Sequence, residues 1–415
     1  RCGSGSERAD DLRQGCSEDR RRQGTESESG NMQYTERLIF ISILLLIFSA
    51  CQGEKGHDDQ DYYIEWDETS LLRIAEEGGY PRLCRLNDGS FLAAYENRQG
   101  DVVVKRSSNE GVSWDDPVTA YEKFEFVDPA SSASTVVNIA NPEIVQLANG
   151  DILLASNLRP RKEGLYPFSI ALKRSVDKGR TWSQAQILYQ AAPFFRDGCW
   201  EPSFLILPDG TVQIYFANES PYRNSDEQEI SMIRSVDNGY TWSENPTTVS
   251  FRQGHRDGMP VAIHDGTNIY LAIEDNLSGQ FKPYIVRSTV GSPWIEAVRK
   301  DSPYRYSALR SPLPDTVYAG APYLIRTENN VYVLSYQTTN NRSFDWERST
   351  MEIQVSGVPS DFSNPSQPFI VPLSKEAKWN SLADLGNNTI AALASTNFEG
   401  EKIGVWMIKG KIRKQ

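Results

Sequence analysis

The sequence predicts an all-β fold, a six-bladed β-propeller with four antiparallel strands per blade. Three observations carry that prediction. A strand–turn–strand frame recurs six times at a spacing of about sixty residues, with prolines at 81, 142, 202, 260 and 322 marking five of its starts. An eight-residue turn motif recurs out of phase with it, so each period holds two hairpins. The last period is one strand short and a spare strand precedes the first, which is what closure of a ring by the two chain ends requires.

In chain order, residues 1–31 are polar and charged without apolar period, and read as upstream, non-structural sequence. Met32 then opens a stretch with Arg37, an apolar run from Leu38 to Phe48, and the small residues Ser49 and Ala50 before Cys51. This order resembles a lipoprotein-type signal peptide over 32–51, too short to span a bilayer, with Cys51 as the lipidated residue. A plain secretory signal is the alternative. The lipid-bearing form implies a bacterial lipoprotein, periplasmic or at the cell surface, that touches the membrane through its anchor only. Residues 52–69 read as a polar tether and closing-strand region, and residues 70–415 as the propeller. Either Tyr62–Trp66 or Leu71–Ala75 supplies the missing outer strand.

The first copy of the frame runs from Tyr80-Pro81-Arg82 through Asn87-Asp88-Gly89 to Tyr95, and the second from Asn141-Pro142-Glu143 through Asn149-Gly150 to Ala155. The third runs from Glu201-Pro202 through Pro208-Asp209-Gly210 to Phe216, and the fourth from Met259-Pro260 through Asp265-Gly266 to Ile273. The fifth begins at Ala321-Pro322, and the sixth, without the proline, at Trp379-Asn380. Asn/Asp-Gly between short apolar runs signals a hairpin, and proline is tolerated at a strand's first residue. Only the third copy places a carboxylate directly before the proline.

The second motif reads Ser107-x-Asn109-x-Gly111-x-Ser113-Trp114, Ser175-x-Asp177-x-Gly179-x-Thr181-Trp182 and Ser235-x-Asp237-x-Gly239-x-Thr241-Trp242, with a degenerate echo from Ser288 to Trp294. Asp or Asn bonds local amides, Gly takes a positive φ, and Trp packs back under the hairpin.

Composition excludes several functions. Among 415 residues, 55 Asp and Glu outweigh 43 Lys and Arg, for a net charge of −12, so no electrostatic route leads to nucleic acid. Beyond Cys51 only Cys84 and Cys199 remain, and His57, His255 and His264 are scattered. No disulfide framework, metal site or cofactor is implied.

In a propeller the innermost strands begin, and the second strands end, on one rim. That rim receives Tyr80, Arg82, Asn141, Glu143, Glu201 and Met259 from strand starts, and Glu96, Asn157, Glu219, Glu274 and Gln337 from strand ends. Loops bring Arg98, Arg159, Trp200, Arg256, Asp257, Tyr318 and Trp379 to it. Two carboxylates ringed by aromatics and a few cations are what glycosidic-bond chemistry needs: one protonates the leaving oxygen, the other attacks or activates water. Glu201 and Glu274, from neighbouring blades, form the expected pair; Glu143, Glu96 and Glu219 are further carboxylates on the same rim. Trp200 and Trp379 read either as sugar platforms or as packing between blades. Arg82 and Arg256 either orient ligand hydroxyls or pair with rim acids.

The Ser-x-Asp-x-Gly-x-Thr-Trp turns resemble the Asp boxes of the sialidase superfold. Trp200-Glu201-Pro202, Arg256-Asp257-Gly258-Met259-Pro260, Ile273-Glu274 and Tyr80-Pro81-Arg82 resemble the motifs of glycoside hydrolase family 93, the exo-acting α-L-arabinanases. The resemblance covers about residues 70–410. It implies a retaining glycosidase that releases arabinobiose units from α-1,5-linked arabinan, with Glu201 as nucleophile and Glu274 as acid/base, although the pair is better marked than its division of labour. The family's motif usually reads Arg-Pro-Gly-Met, so Asp257 is a departure. Tyr80, Arg82, Asn141, Trp200, Arg256, Asp257, Tyr318 and Trp379 are the expected substrate contacts. Two other readings stand beside this one: an exo-α-sialidase-like hydrolase, which would need a Tyr where Trp379 stands, and a non-catalytic glycan-binding propeller.

Overall fold

The computed structural model describes residues 61–415, so the expected signal peptide and the lipid-bearing Cys51 lie outside the described residues. The chain from residue 61 onward forms six antiparallel sheets, and their strand order is that of a six-bladed β-propeller. Blade 3 shows the plan: Cys199–Ile206, Val212–Asn218, Glu229–Ser235 and Thr247–Ser250 lie side by side in sequence order. Apolar residues on the two faces of each blade pack against the neighbouring blades; Leu153, Phe216, Ile230 and Leu271, from blades 2, 3 and 4, share one buried cluster.

Closure follows the sequence with one refinement. The two proposed closing segments are halves of one strand, Tyr62–Ala75, paired with Gly404–Lys414. The register breaks between Asp67 and Leu72, where Asp67 accepts the Thr69 N–H at 3.1 Å. Blade 6 is thus built from both ends of the propeller segment, with Tyr62–Ala75 as its outermost strand beside Gly404–Lys414. Blade 2 departs from the four-strand plan. Its inner strand, Ser134–Gln146, runs past the blade and pairs with Phe124–Val127, where Phe124 and Phe126 pack on Tyr166.

The turn motifs fold as their chemistry dictates. Ser175 Oγ donates to Asp177 and accepts the Gly179 N–H at 2.8 Å, and Asp177 accepts the Thr181 N–H at 2.8 Å. Gly179 takes φ +86°, and a Cβ there would meet Leu92 at 2.9 Å. The echo is real as well: Trp294 N–H donates to Ser288 Oγ, and its indole N–H reaches Tyr215 Oη at 2.8 Å.

One backbone feature repeats in all six blades. Tyr80, Asn141, Glu201, Met259, Ala321 and Trp379 each adopt a left-handed φ between 47° and 55°. Each lies inside a register shift between the first two strands, such as Trp200/Ser203 in blade 3. Such a φ is costly for residues with a Cβ, on the order of 1–3 kcal/mol each, and five of them precede proline, which disfavours helical backbone further. The bulges place one residue per blade around the axis at the start of the inner strand.

Candidate active site

The six bulge residues are not equivalent. Tyr80, Met259 and Ala321 form a buried apolar cluster with Trp379 packed on it, and it plugs the centre of the ring. Asn141 and Glu201 are the polar members. A cavity of about 470 Å³ opens beside them, lined by Tyr80, Glu96, Arg98, Asn141, Arg159, Glu201 and Trp379, and on the blade 6 side by Glu376, Glu401 and Lys402. That volume lies in the usual range of about 300–1,000 Å³ for small-molecule sites.

A clasp between blades organises this rim. The side chain ending a second strand accepts the N–H of the next blade's bulge residue: Ser395 from Tyr80 at 2.9 Å, Glu96 from Asn141 at 2.7 Å, Glu274 from Ala321 at 2.8 Å and Gln337 from Trp379 at 2.8 Å. Glu274 therefore has a structural duty in addition to any chemical one. Its carboxyl occupies room left by two glycines: a Cβ on Gly258 would lie 2.9 Å from Oε1, and one on Gly320 would lie 2.5 Å from both Oε2 and Tyr318 Oη. Tyr318 accepts the Gln337 amide N–H at 2.9 Å, which leaves its own hydroxyl proton for another partner.

Both glutamates of the expected pair are half-buried and hold their protons unusually well. Burial first, and the charge of Glu274 second, push Glu201 up to about 8, against relief from Arg159 and the Met259 N–H. Burial raises Glu274 to about 7, opposed by the Ala321 N–H and Arg256. The two titrate as a coupled pair that keeps about one proton near neutral pH, the state in which one carboxyl is an acid and the other a nucleophile.

Several expected contacts have other work. Arg82 is buried, donates to Glu143 at 2.8 Å and to the Pro81 carbonyl, and lies 4.0 Å from the centre of the Tyr80 ring. It braces the plug from within. Asp257 is fully buried, bonded to Arg305 and Ser250; Arg305 also grips Asp275, which Arg252 contacts at 2.8 Å. Two acids and two arginines thus neutralise each other inside blade 4, so Asp257 is a core residue and offers no carboxylate to a ligand. Trp200 is likewise packing: it is 4% exposed, donates to Glu219 at 3.1 Å and stacks among Phe168 and Phe195. Arg256 is tied to Glu219 and Gln228 and reaches Glu274 through its charge. Tyr80, Asn141 and Trp379 line the cavity, and Tyr318 stands beside Glu274.

Two residues outside the expected contacts, Arg159 and Trp346, and one unexpected feature of Asn141 complete the rim. Arg159 lies at the cavity wall, 4.7 Å from the centre of the Trp200 ring, and makes no ion pair among the described residues. Asn141 Oδ1 is buried without a hydrogen-bond partner among the described residues, an open acceptor in the wall. Trp346 stands in a short 3₁₀ turn next to Tyr318 and Trp379. Arg159 lay on the predicted rim, but Trp346 has no mate in the repeat and gave no signal.

Fold and rim together define a sialidase-like six-bladed propeller with a central carboxylate-bearing cavity. Among solved structures the chain is similar to the family 93 α-L-arabinofuranosidase of Fusarium graminearum in complex with arabinobiose: 17% identity, TM-score 0.61, covering 82% of this chain and 97% of that one. It is also similar to a protein of unknown function from Dyadobacter fermentans, at 15% identity and TM-score 0.58, covering 85% and 98%. The NanB sialidase of Streptococcus pneumoniae follows at 13% identity and TM-score 0.57, covering 84% and 70%. No family model matches the chain, and a sequence comparison with curated proteins gave no match.

Proposed function

We propose that the protein is an exo-acting retaining glycoside hydrolase on a neutral polysaccharide, with release of arabinobiose-type units from α-1,5-L-arabinan as the first activity to test. The observation that carries this reading is the coupled pair Glu201 and Glu274, two half-buried carboxyls from neighbouring blades with raised proton affinity, of which Glu201 lines the cavity. In the first step one carboxylate oxygen bonds to the anomeric carbon as the bond to the leaving oxygen breaks, and the other glutamate gives that oxygen its proton. In the second, the deprotonated glutamate takes a proton from water, whose oxygen replaces the first glutamate at the anomeric carbon. We assign attack to Glu201, which faces the cavity beside Arg159, and proton transfer to Glu274. Asn141 Oδ1 suits a sugar hydroxyl, and Trp379 supplies an apolar face.

Charge supports a neutral sugar over a sialic acid. Glu96, Glu201, Glu376 and Glu401 outnumber Arg98, Arg159 and Lys402 around the cavity. Arg98 and Lys402 are both held by Glu77, and Arg82 is locked on Glu143, which leaves Arg159 and no arginine trio for a carboxylate. An indole, Trp379, stands where a sialidase would need its phenol. Family 93 similarity supports arabinan as the first choice. Attachment to a bacterial membrane through lipid on Cys51 belongs to the same proposal; Cys51→Ala should abolish lipid labelling and release the protein into the soluble fraction.

Product analysis on linear arabinan, arabinoxylan and sialyl-lactose tests the function. Short arabino-oligosaccharides formed by the wild type and not by Glu201→Gln are the expected result. Sialic acid as the only product would overturn it, and glycan binding without turnover would make the protein a binding propeller.

A further inference from the structure

Trp346 is a large apolar side chain left 43% exposed on the active rim, yet everything around it is fixed. Its 3₁₀ turn, Trp346–Arg348, is capped by Asp345, which accepts the Glu347 N–H at 3.0 Å. The loop leading to it is lashed down by Arg342, which donates to the carbonyls of Arg348 at 2.7 Å, Val371 at 3.0 Å, Pro372 at 2.8 Å and Lys375 at 2.7 Å. Beneath the indole lies Lys378, with Nζ 4.7 Å from the ring centre; it is itself 5% exposed and paired with Glu376 at 2.8 Å. The ring meets Tyr318 and Trp379 at steep angles, 61° and 68°, with centroids 6.2 and 6.3 Å away. One face is therefore backed by a buried cation, two neighbours flank it, and the remaining surface is open. A rigid, half-covered indole is a poor solvent-facing residue and a good platform for the apolar face of a sugar ring.

Its position gives it a side of the reaction. Glu201, Asn141 and Arg159 belong to blades 2 and 3 and line the cavity. Glu274 and Tyr318 belong to the blade 4–5 side, and Trp346 stands directly beside Tyr318. An acid at Glu274 meets the leaving oxygen, so the chain being shortened departs over Tyr318 toward Trp346. We propose that Trp346 is a sugar-binding platform on the leaving-chain side, a subsite that favours longer substrates; this rests on the glycosidase reading above.

Hydrolysis of linear α-1,5-arabino-oligosaccharides of increasing length, from a trisaccharide to a hexasaccharide, tests it. For the wild type kcat/KM should rise with chain length. Trp346 is not among the residues lining the cavity, so Trp346→Ala should flatten that rise, losing about 3- to 10-fold on the longest chain through KM with a smaller loss on the shortest, and should leave the released product unchanged. Trp346→Phe should keep most of the rise, which separates stacking from a general loosening of the loop. An equal loss at every length, no loss at all, or a change in product length would overturn the inference while leaving the glycosidase reading intact. A wild type that cleaves none of the series overturns both.

Discussion

Glu274 Oε2 accepts the Ala321 N–H at 2.8 Å, so the residue expected to move a proton also fastens blade 4 to blade 5. One blade further on, Gln337 makes the same bond to Trp379 with an amide oxygen. The fold thus already contains the control substitution. Glu274→Gln should keep the clasp and the melting temperature while lowering kcat by at least about 100-fold, the scale of general acid–base catalysis. Glu274→Ala should lose the activity and also about 1 kcal/mol or more of stability, because the Ala321 N–H is left without its acceptor. Thermal melts beside turnover of arabinan separate the two effects; a Gln variant that retains full activity would remove Glu274 from the chemistry.

The pair also sets a pH dependence of stability. Burial raises both carboxyls above their ordinary value of 4.5, Glu201 to about 8 and Glu274 to about 7. Between the unfolded and folded values the native state binds more protons, so stability falls as pH rises from about 4.5 through about 8. Glu201→Gln removes that dependence at one site. It should melt at least about 2 °C above the wild type at pH 8.5, with the gap closing toward pH 5. A gap that widens toward low pH would contradict the sign.

Much of this fold was legible because it repeats. The X-Pro starts and the Ser-x-Asp-x-Gly turns are local chemistry, and the six copies of the strand–turn–strand frame set blade number, strand order and rim. The left-handed bulges were not legible, since a residue before proline ordinarily avoids such backbone and only ring geometry imposes it. Asp257 was misplaced for a different reason: its partner Arg305 lies 48 residues on, in a three-residue strand without a repeat signature. Trp200 was read beside the alternative that proved physical, packing between blades. Trp346 and the Phe124–Val127 hairpin belong to irregular insertions, where period carries no information.

The buried Arg82–Glu143 pair should be a strong determinant of stability. Each side chain is less than a tenth exposed, and Arg82 also contacts the rings of Tyr80 and Tyr323 at 4.0 and 4.9 Å. Glu143→Ala would strand a guanidinium in the plug and should cost about 3–5 kcal/mol in denaturant unfolding. Replacing both, Arg82→Met with Glu143→Leu, should cost less than the single change, because no uncompensated charge remains. A double variant as unstable as the sum of the singles would mean that the aromatic contacts, and not charge pairing, hold Arg82 in place.

The division of labour between Glu201 and Glu274 can be read from azide rescue. Both carboxyls are raised, and Glu201 faces the cavity beside Arg159. If Glu201 attacks, its removal leaves a gap on the face of the sugar opposite the leaving oxygen. Azide entering that gap on Glu201→Gly displaces the leaving group directly and gives a glycosyl azide of inverted configuration. Removing the acid/base instead leaves the covalent intermediate able to form on activated leaving groups, and azide then attacks it to give net retention. Arabino-oligosaccharides bearing a dinitrophenyl leaving group should therefore yield the inverted azide with Glu201→Gly and the retained azide with Glu274→Gly, read by the anomeric proton coupling. The opposite pairing would exchange the two roles, and with them the direction in which the chain leaves the cavity.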